Sequence, residues 1–206
     1  MSDATLRELE RVAPHDPIAR EALWHARVRL GLGWSGERVP EALVPTKIPG
    51  LYCDSRAGPF GTPRERYVFV PATLEVRPFY VTNYPVLSGR FPAIGSRPTV
   101  SEPWRLPTKL EAARLIEEAP GHERPAHLVF AFGPGPHSCV NASGDPLRPR
   151  GGARCGRVFA TAERPHGVGP FDLLGNVWEW DSEGGLYGGL ARNRTGGFRL
   201  VVDAVA

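Results

Sequence analysis

The sequence predicts an α+β fold that is rich in loops, with few helices and short strands, preceded by a short N-terminal helical segment. The chain has 206 residues, of which 41% are hydrophobic, and this is enough for one sizeable core. Its 24 glycines and 22 prolines are typical of many turns around a modest amount of regular structure. Two amphipathic helix patterns lie before residue 46, and short strands with long loops follow from about Lys47. We therefore predict an N-terminal helical segment, residues 1–45, and one main domain, residues 46–206.

The N-terminal segment contains the two predicted amphipathic helices. The first begins at Asp3 and ends before Pro14. The second has Asp16 as its N-cap, Pro17 at its first helical position and Gly31 as its stop signal. Its apolar side is predicted to consist of Ala19, Leu23, Ala26 and Leu30, flanked by Ile18, Ala22 and His25.

This helical hairpin is too small to bury its apolar side alone. It therefore either docks on the main domain or serves as a handle for a partner protein, and docking is the favoured interpretation. His15 and His25 are a weak metal signal, so the pattern favours solvent-exposed or core roles over metal binding.

Several strands are predicted in the main domain. The alternation in ERYVFVPATLEVRPFYVTN predicts strands at Tyr67–Val70 and Leu74–Val81, with Pro71 forcing a break between them. AHLVFAFG, residues 126–133, predicts a further buried strand, and GFRLVV, Gly197–Val202, predicts a closing one. The stretch Gly133–Gly152 has no periodicity, and a loop of that length in a compact domain is usually functional or disordered.

A third helix is predicted in RLPTKLEAARLIEEAPG. Thr108 is placed to cap it, and Glu111, three residues later, is placed to accept the N–H of the cap residue, which is a capping box. Pro120 and the glycine after it end the helix. The residues expected to face the core are Ala112, Leu115 and Ile116.

The charge balance and the cysteine spacing limit which partners and cofactors the sequence predicts. The chain has 25 basic and 22 acidic residues, and no basic stripe is interleaved with aromatic residues, so nucleic acid is not the predicted partner. Cys53, Cys139 and Cys155 have neither a CxxC nor a histidine-paired spacing, so neither zinc nor a disulfide framework is predicted. The charged N-terminus, with no apolar run of about 18 residues, predicts no membrane span and a cytoplasmic location.

The stretch GNVWEW, Gly175–Trp180, carries two tryptophans two positions apart. On an extended segment Trp178 and Trp180 share one face, so we expect both rings to anchor the core. Glu179 then points the other way, toward a calcium ion, an arginine or solvent. The motif is therefore interpreted first as architecture.

Four stretches in order resemble the formylglycine-generating enzyme family, also called the sulfatase-modifying factor family. They are FYVTNYPVLSGRF (79–91), WRLPTKLEAARL (104–115), GPFDLLGNVWEW (169–180) and GGFRLV (196–201), and the resemblance covers roughly residues 47 to 203. It implies a C-type-lectin-like fold with a small twisted mixed sheet, in a shortened and divergent member of bacterial type. The residues that carry the structural motif are Asn83, Arg105, Trp178, Trp180, Phe198 and Arg199.

The chemistry of the family does not follow from the resemblance. Members that oxidise a substrate cysteine bind copper(I) through two cysteines that come after the stretch equivalent to GNVWEW, because this soft ion needs facing thiolates. No cysteine follows Trp180 here. Cys139 and Cys155 are weak candidates for a displaced pair, and ordinary thiols are the favoured interpretation. A second branch of the family uses an iron-binding helical bundle, for which residues 1–45 are too short.

Calcium is the remaining cofactor that the resemblance implies. Family members often bind it through oxygens of the stretch that matches GNVWEW, which corresponds to Asn176 and Glu179 here. Because calcium needs six or more oxygen ligands, two side chains are weak support. The favoured alternative is an asparagine–backbone turn and a glutamate–arginine pair.

These observations favour a non-catalytic recognition or assembly module that binds another protein or other ligand through long loops. The side chains expected at the interface are Tyr187, Arg192 and Arg194, together with the loop Gly133–Gly152. A divergent copper-dependent oxidoreductase acting on a thiol is the first alternative, and a ligand-display variable protein is the second. The sequence leaves the identity of the partner and the oligomeric state open.

Overall fold

The computed structural model describes residues 2–55, 65–83, 85–87, 97–117, 178–188 and 196–205. These residues form an α+β structure, as the sequence predicts. The three helices are α1 (Asp3–Val12), α2 (Pro17–Arg29) and α3 (Lys109–Glu117). The nine strands are β1 (Leu43–Pro45), β2 (Leu51–Asp54), β3 (Arg66–Val70), β4 (Phe79–Thr82), β5 (Val86–Leu87), β6 (Trp178–Trp180), β7 (Leu186–Tyr187), β8 (Gly196–Phe198) and β9 (Val201–Asp203).

The strands form two sheets that share the C-terminal stretch of the chain. The first sheet has the order β1-β2-β3-β4-β9 and is antiparallel throughout. The second has the order β5-β8-β6-β7 and is mixed, because β6 and β8 are parallel. The prediction of one closing strand over Gly197–Val202 is therefore wrong. The chain leaves the second sheet after Phe198 and joins the first at Val201.

The second of the two predicted strands in the main domain also begins later than expected. The Thr73 N–H donates to the carbonyl oxygen of Val76 (2.9 Å), and the Val76 N–H donates to the Thr73 hydroxyl (3.1 Å). This local turn leaves Leu74 fully exposed, and β4 begins only at Phe79. The threonine side chain competes with the sheet for the backbone and so overrides the alternating pattern.

The N-terminal helices begin and end as the sequence predicts. The Asp16 carboxylate accepts the N–H of Ile18 (2.8 Å), Pro17 opens α2, and Gly31 adopts a φ of 70° after the helix. The predicted apolar side is only partly correct: Ile18 and Leu30 are exposed. The side chains that α2 buries are Ala19, Leu23, Trp24 and Ala26.

Trp24 attaches this segment to the sheets. Its ring is 1% exposed and packs edge-on against Tyr52, with the ring centroids 5.7 Å apart. Its Nε1–H donates to the carbonyl oxygen of Thr46 (3.0 Å). Because Trp24 belongs to the same buried cluster as Phe198 and Val202, α2 docks on the rest of the chain. The segment 1–45 also supplies a strand, since β1 pairs with β2.

Helix α3 begins with the predicted capping box. The Glu111 N–H donates to the Thr108 hydroxyl (3.2 Å), and the Thr108 N–H donates to the Glu111 carboxylate (2.7 Å). Ala112 and Leu115 are buried, as expected, and Ile116 is half-buried. The predicted strand at residues 126–133 and the loop Gly133–Gly152 lie outside the described residues.

In the described part of the chain, no helix is both long and apolar enough to cross a membrane.

Candidate functional site

A fully buried ion pair joins the two C-terminal motif stretches. Arg199 Nε lies 2.9 Å from Glu179 Oε2, and Arg199 Nη2 donates to Glu179 Oε1 (3.2 Å). Both side chains are 0% exposed. Arg199 Nη1 also donates to the carbonyl oxygen of Thr82 (3.0 Å) on β4. The guanidinium therefore connects both sheets and satisfies a carboxylate that would be costly to bury alone.

Tyr187 completes this cluster. Its hydroxyl donates to Glu179 Oε2 (3.0 Å) across the β6–β7 pair. Burial, followed by the negative charge of Glu179, raises the pKa of Tyr187 well above its usual value. Tyr187, whose side chain is predicted to lie at an interface, is thus half-buried, and its hydroxyl is bonded within the fold.

The expectation that both rings of GNVWEW anchor the core is only partly correct: Trp180 packs against the core cluster that contains Phe198. Trp178 and Trp180 are only half-buried, whereas Glu179 between them is completely buried. Alternation along β6 places the carboxylate on the face opposite the two indole rings, and the buried face here is that of Glu179. Glu179 meets an arginine, which is one of the three possibilities that the sequence leaves open.

A second charged cluster involves Arg105. Its guanidinium makes two hydrogen bonds of 2.7 Å to the Glu111 carboxylate, and its Nε donates to Asp203 Oδ1 (3.2 Å). Its main chain exchanges both hydrogen bonds with Val201, at 3.0 and 2.8 Å. Burial alone would lower the pKa of Arg105, but the hydrogen bonds to Glu111 and Asp203 outweigh it and raise the pKa.

These two clusters bring the four motif stretches together. Thr82 comes from the first stretch, Arg105 and Glu111 from the second, Glu179 from the third, and Arg199 with Val201 from the fourth. Two further motif residues are also buried: Asn83, whose N–H donates to the Arg66 carbonyl oxygen (2.8 Å), and Phe198. The stretches thus contact one another as parts of a single interlocked core.

Asp54 fixes a tryptophan near this core. Its carboxylate is fully buried, and its Oδ1 accepts the Nε1–H of Trp104 (3.1 Å). The hydroxyl of Tyr67 is also buried beside it, so that burial, and then the charge of Asp54, raises the pKa of Tyr67. The hydrogen bond holds the Trp104 ring in one orientation.

A further polar cluster lies on the side of the first sheet that faces α2. Glu37 Oε1 accepts hydrogen bonds from the hydroxyls of Tyr52 (3.0 Å) and Tyr80 (2.9 Å). The Tyr52 hydroxyl in turn accepts the N–H of Trp34 (2.7 Å). Burial and the charge of Glu37 raise the pKa of both tyrosines. The cluster ties the loop after α2 to β2 and β4.

A groove of about 840 Å³ lies beside β9. Its lining includes residues 40–42 and 101–105, with Ser55, Val202 and Asp203. The ionisable side chains among these are Glu41, Glu102, Arg105 and Asp203, so the acidic groups outnumber the basic one. Trp104, half-buried and fixed by Asp54, supplies an aromatic surface. This is a binding geometry, with a rigid aromatic side chain among carboxylates.

The other predicted site residues are distributed as follows. Arg192, Arg194, Asn176, Cys139 and Cys155 lie outside the described residues. Cys53 lies on β2 as a half-buried free thiol.

No group of three or more His, Cys, Asp and Glu side chains suited to a metal is found among the described residues. Glu179, one of the two predicted calcium ligands, instead has its two carboxylate oxygens in contact with Arg199 and Tyr187. A cation bound there would have to compete with a guanidinium that is already in place.

Comparisons of the chain with protein-family models, with curated proteins and with solved structures each gave no significant match. The likeness of the four stretches to the formylglycine-generating enzyme family therefore stays a prediction from the sequence.

Sequence reasoning missed the groove and two of the polar clusters. Asp54 and Glu37 contact residues 15 to 50 positions away in the chain, so no local spacing indicates them. Trp24 carried a signal in the sequence, because a tryptophan on an amphipathic helix presents a large apolar surface that usually packs against a neighbouring element.

Proposed function

We propose that this chain is a non-catalytic recognition module on a scaffold of the formylglycine-generating enzyme type, and that it binds another protein. The observation that carries the proposal is the buried contact between Arg199 and Glu179. It gives a structural role to the motif residues that the resemblance singles out, and it leaves the groove beside β9 as a separate surface for binding.

Two further features support binding by this scaffold. The groove is built on fixed groups, since Trp104 is held by Asp54 and Arg105 by Glu111. A rigid surface loses little conformational entropy when it binds, and this favours recognition by preformed contacts. In addition, no cysteine follows Trp180, where the family's copper ligands would stand.

The proposal is tested by recovery and rebinding of a partner. The full chain is immobilised, proteins retained from its native cell are identified, and each candidate is purified and titrated against the free chain by isothermal calorimetry. The proposal predicts one protein that rebinds with a defined stoichiometry and a Kd of about 10 μM or tighter.

The control for this titration is a variant that circular dichroism shows to be unfolded, such as Trp24→Ala/Arg199→Met, which removes two separate buried contacts. A partner that binds this variant and the wild type equally would be recognising unfolded chain. Failure of every retained protein to rebind the folded wild-type chain would contradict the proposed function.

A further inference from the structure

The outer edge of β9 has an open position at Asp203. Thr82 N–H donates to the Leu200 carbonyl oxygen, and Ala204 N–H donates to the Pro78 carbonyl oxygen. In the antiparallel register, residues 200, 202 and 204 thus bond to β4, and Phe79 and Asp203 form a non-hydrogen-bonded pair. The main-chain N–H and C=O of Asp203 therefore point away from β4.

Two segments cover this edge on either side of Asp203. Arg105 pairs with Val201, and Arg38 pairs with Val205, both in the antiparallel sense. If each short ladder is extended toward Asp203, the next position is Pro103 on one side and Pro40 on the other. Proline has no N–H to donate, so neither residue continues the ladder to Asp203.

The groove lies at this break in the main-chain pairing of β9. Pro40, Pro103 and Asp203 all line it, and Val201 and Val205 are separated by about 13 Å of extended chain. The hydrogen bond from the main-chain N–H of Trp104 to the Ser101 carbonyl oxygen (3.1 Å) closes a turn over residues 101–104, next to Arg105. Within the described part of the chain, no main-chain group fills the position opposite Asp203.

The charges around the groove indicate the charge of the ligand that it would bind. Glu41 and Glu102 are exposed and form no ion pair with any described residue. Asp203 is 70% exposed, and Arg105, which binds it, is also bonded to Glu111. The groove is therefore acidic overall, although the whole chain has a net charge of +3. A complementary ligand carries positive charge.

We propose that the groove binds an extended segment of a partner protein that carries arginine or lysine, with one peptide unit paired to the main chain of Asp203. The cationic side chains lie against Glu41 and Glu102 beside the ring of Trp104, where a guanidinium also gains from the aromatic face. This inference rests on the proposed function and names the chemistry of the partner.

The test uses synthetic nine-residue peptides, acetylated and amidated, with a fluorescent label. One has arginines alternating with valines at its centre, and a second has glutamates in place of the arginines. Fluorescence anisotropy gives the Kd of each for the full chain. We expect the arginine peptide to bind at least about tenfold more tightly than the glutamate peptide, and more weakly as salt increases.

Two pairs of charge reversals locate the binding. The variant Glu41→Lys/Glu102→Lys is expected to weaken the arginine peptide by at least about tenfold. The matched control Glu21→Lys/Glu75→Lys makes the same change in net charge at exposed positions outside the groove, and is expected to leave the Kd within about twofold of the wild type. All four substitutions are at exposed side chains, so thermal unfolding should confirm that each variant folds.

The main-chain contact has its own test. N-methylation of the central amides of the arginine peptide removes the donors that would pair with the Asp203 carbonyl oxygen, and should weaken binding by about tenfold. Equal binding of methylated and unmethylated peptides would overturn the pairing with Asp203. Equal weakening by the groove and control variants, or no binding of the arginine peptide by the wild type, would overturn the groove itself.

Different results would rule out the groove proposal and the proposed function. If a recovered partner rebinds the wild type and the Glu41→Lys/Glu102→Lys variant equally, the recognition function stands and the groove proposal is wrong. If the arginine peptide binds in a groove-dependent way but no partner protein rebinds, the groove stands and the proposed function is wrong.

Discussion

Arg199 and Glu179 form an ion pair at 2.9 Å in which both side chains are inaccessible to solvent. The pair joins β6 to the crossing between β8 and β9, and through Thr82 it also reaches β4. A buried pair of this kind contributes little relative to apolar packing, but loss of one partner leaves an uncompensated charge in the core. The two residues should therefore behave as one unit when they are substituted.

Replacing either partner alone should destabilise the fold strongly. Arg199→Met and Glu179→Leu are each expected to lower the free energy of unfolding by about 3–5 kcal/mol, because each leaves the other charge buried without a counterion. The double variant Arg199→Met/Glu179→Leu should lose less than the sum of the two by at least about 1 kcal/mol. Urea unfolding of the four proteins measures this double-mutant cycle. Additive losses would show that the pair does not act as a unit.

Stability should fall at alkaline pH because buried tyrosines hold their protons in the folded state. The pKa of Tyr67 is raised by burial and by Asp54, while an unfolded tyrosine titrates near pH ~10. Above that pH the unfolded state releases protons that the folded state keeps, so the contribution present at lower pH is progressively lost. Tyr67→Phe should reduce this loss by up to about 1.4 kcal/mol per pH unit between pH ~10 and ~11. Equal pH slopes for the variant and the wild type would show that Tyr67 does not keep its proton in the folded state.

The N-terminal segment should be energetically part of the main fold. Trp24→Ala is expected to cost about 3–5 kcal/mol, because it opens a cavity between α2 and the ring of Tyr52. Ile18→Ala is the control, because Ile18 lies on the same helix and is 79% exposed, and it should change stability by less than about 0.5 kcal/mol. Denaturant unfolding measures both. A small effect at Trp24 would mean that the helices are only loosely attached.

The capping box of α3 should make a modest but measurable contribution to the free energy of unfolding. Thr108→Ala removes the hydroxyl that accepts the Glu111 N–H and is expected to cost about 1 kcal/mol. Thr99→Ala makes the same chemical change at an exposed position outside the helix, and should be close to neutral. Thermal or urea unfolding of the two variants compares them directly. Equal losses of stability at the two positions would show that the Thr108 cap does not stabilise α3.

Features that depend on neighbours in sequence are predictable from it. Asp16, Pro17 and Gly31 define α2, and Thr108 with Glu111 defines the start of α3, because each acts on backbone groups within a few residues. The exact starts of strands are harder. Leu74 fits the alternating pattern, but the bonds between Thr73 and Val76 form a turn instead.

Features that depend on distant partners are not predictable in the same way. The pattern of GNVWEW indicates that Glu179 faces away from the tryptophans, but not which face is buried. That is decided by Arg199, twenty residues later, and by Tyr187. The groove depends on two prolines, Pro40 and Pro103, that reach one strand from separate parts of the chain, so it appears only in three dimensions.

We propose that this scaffold serves recognition and lacks the copper chemistry of the formylglycine-generating enzyme family. The most direct measurement is anaerobic titration of the purified full chain with copper(I), in parallel with a Cys139→Ser/Cys155→Ser variant, in competition with a chelator of known affinity. Both proteins should bind copper(I) equally weakly, because no thiolate pair follows Trp180. One copper ion held tightly by each wild-type chain, and lost from the variant, would contradict this proposal.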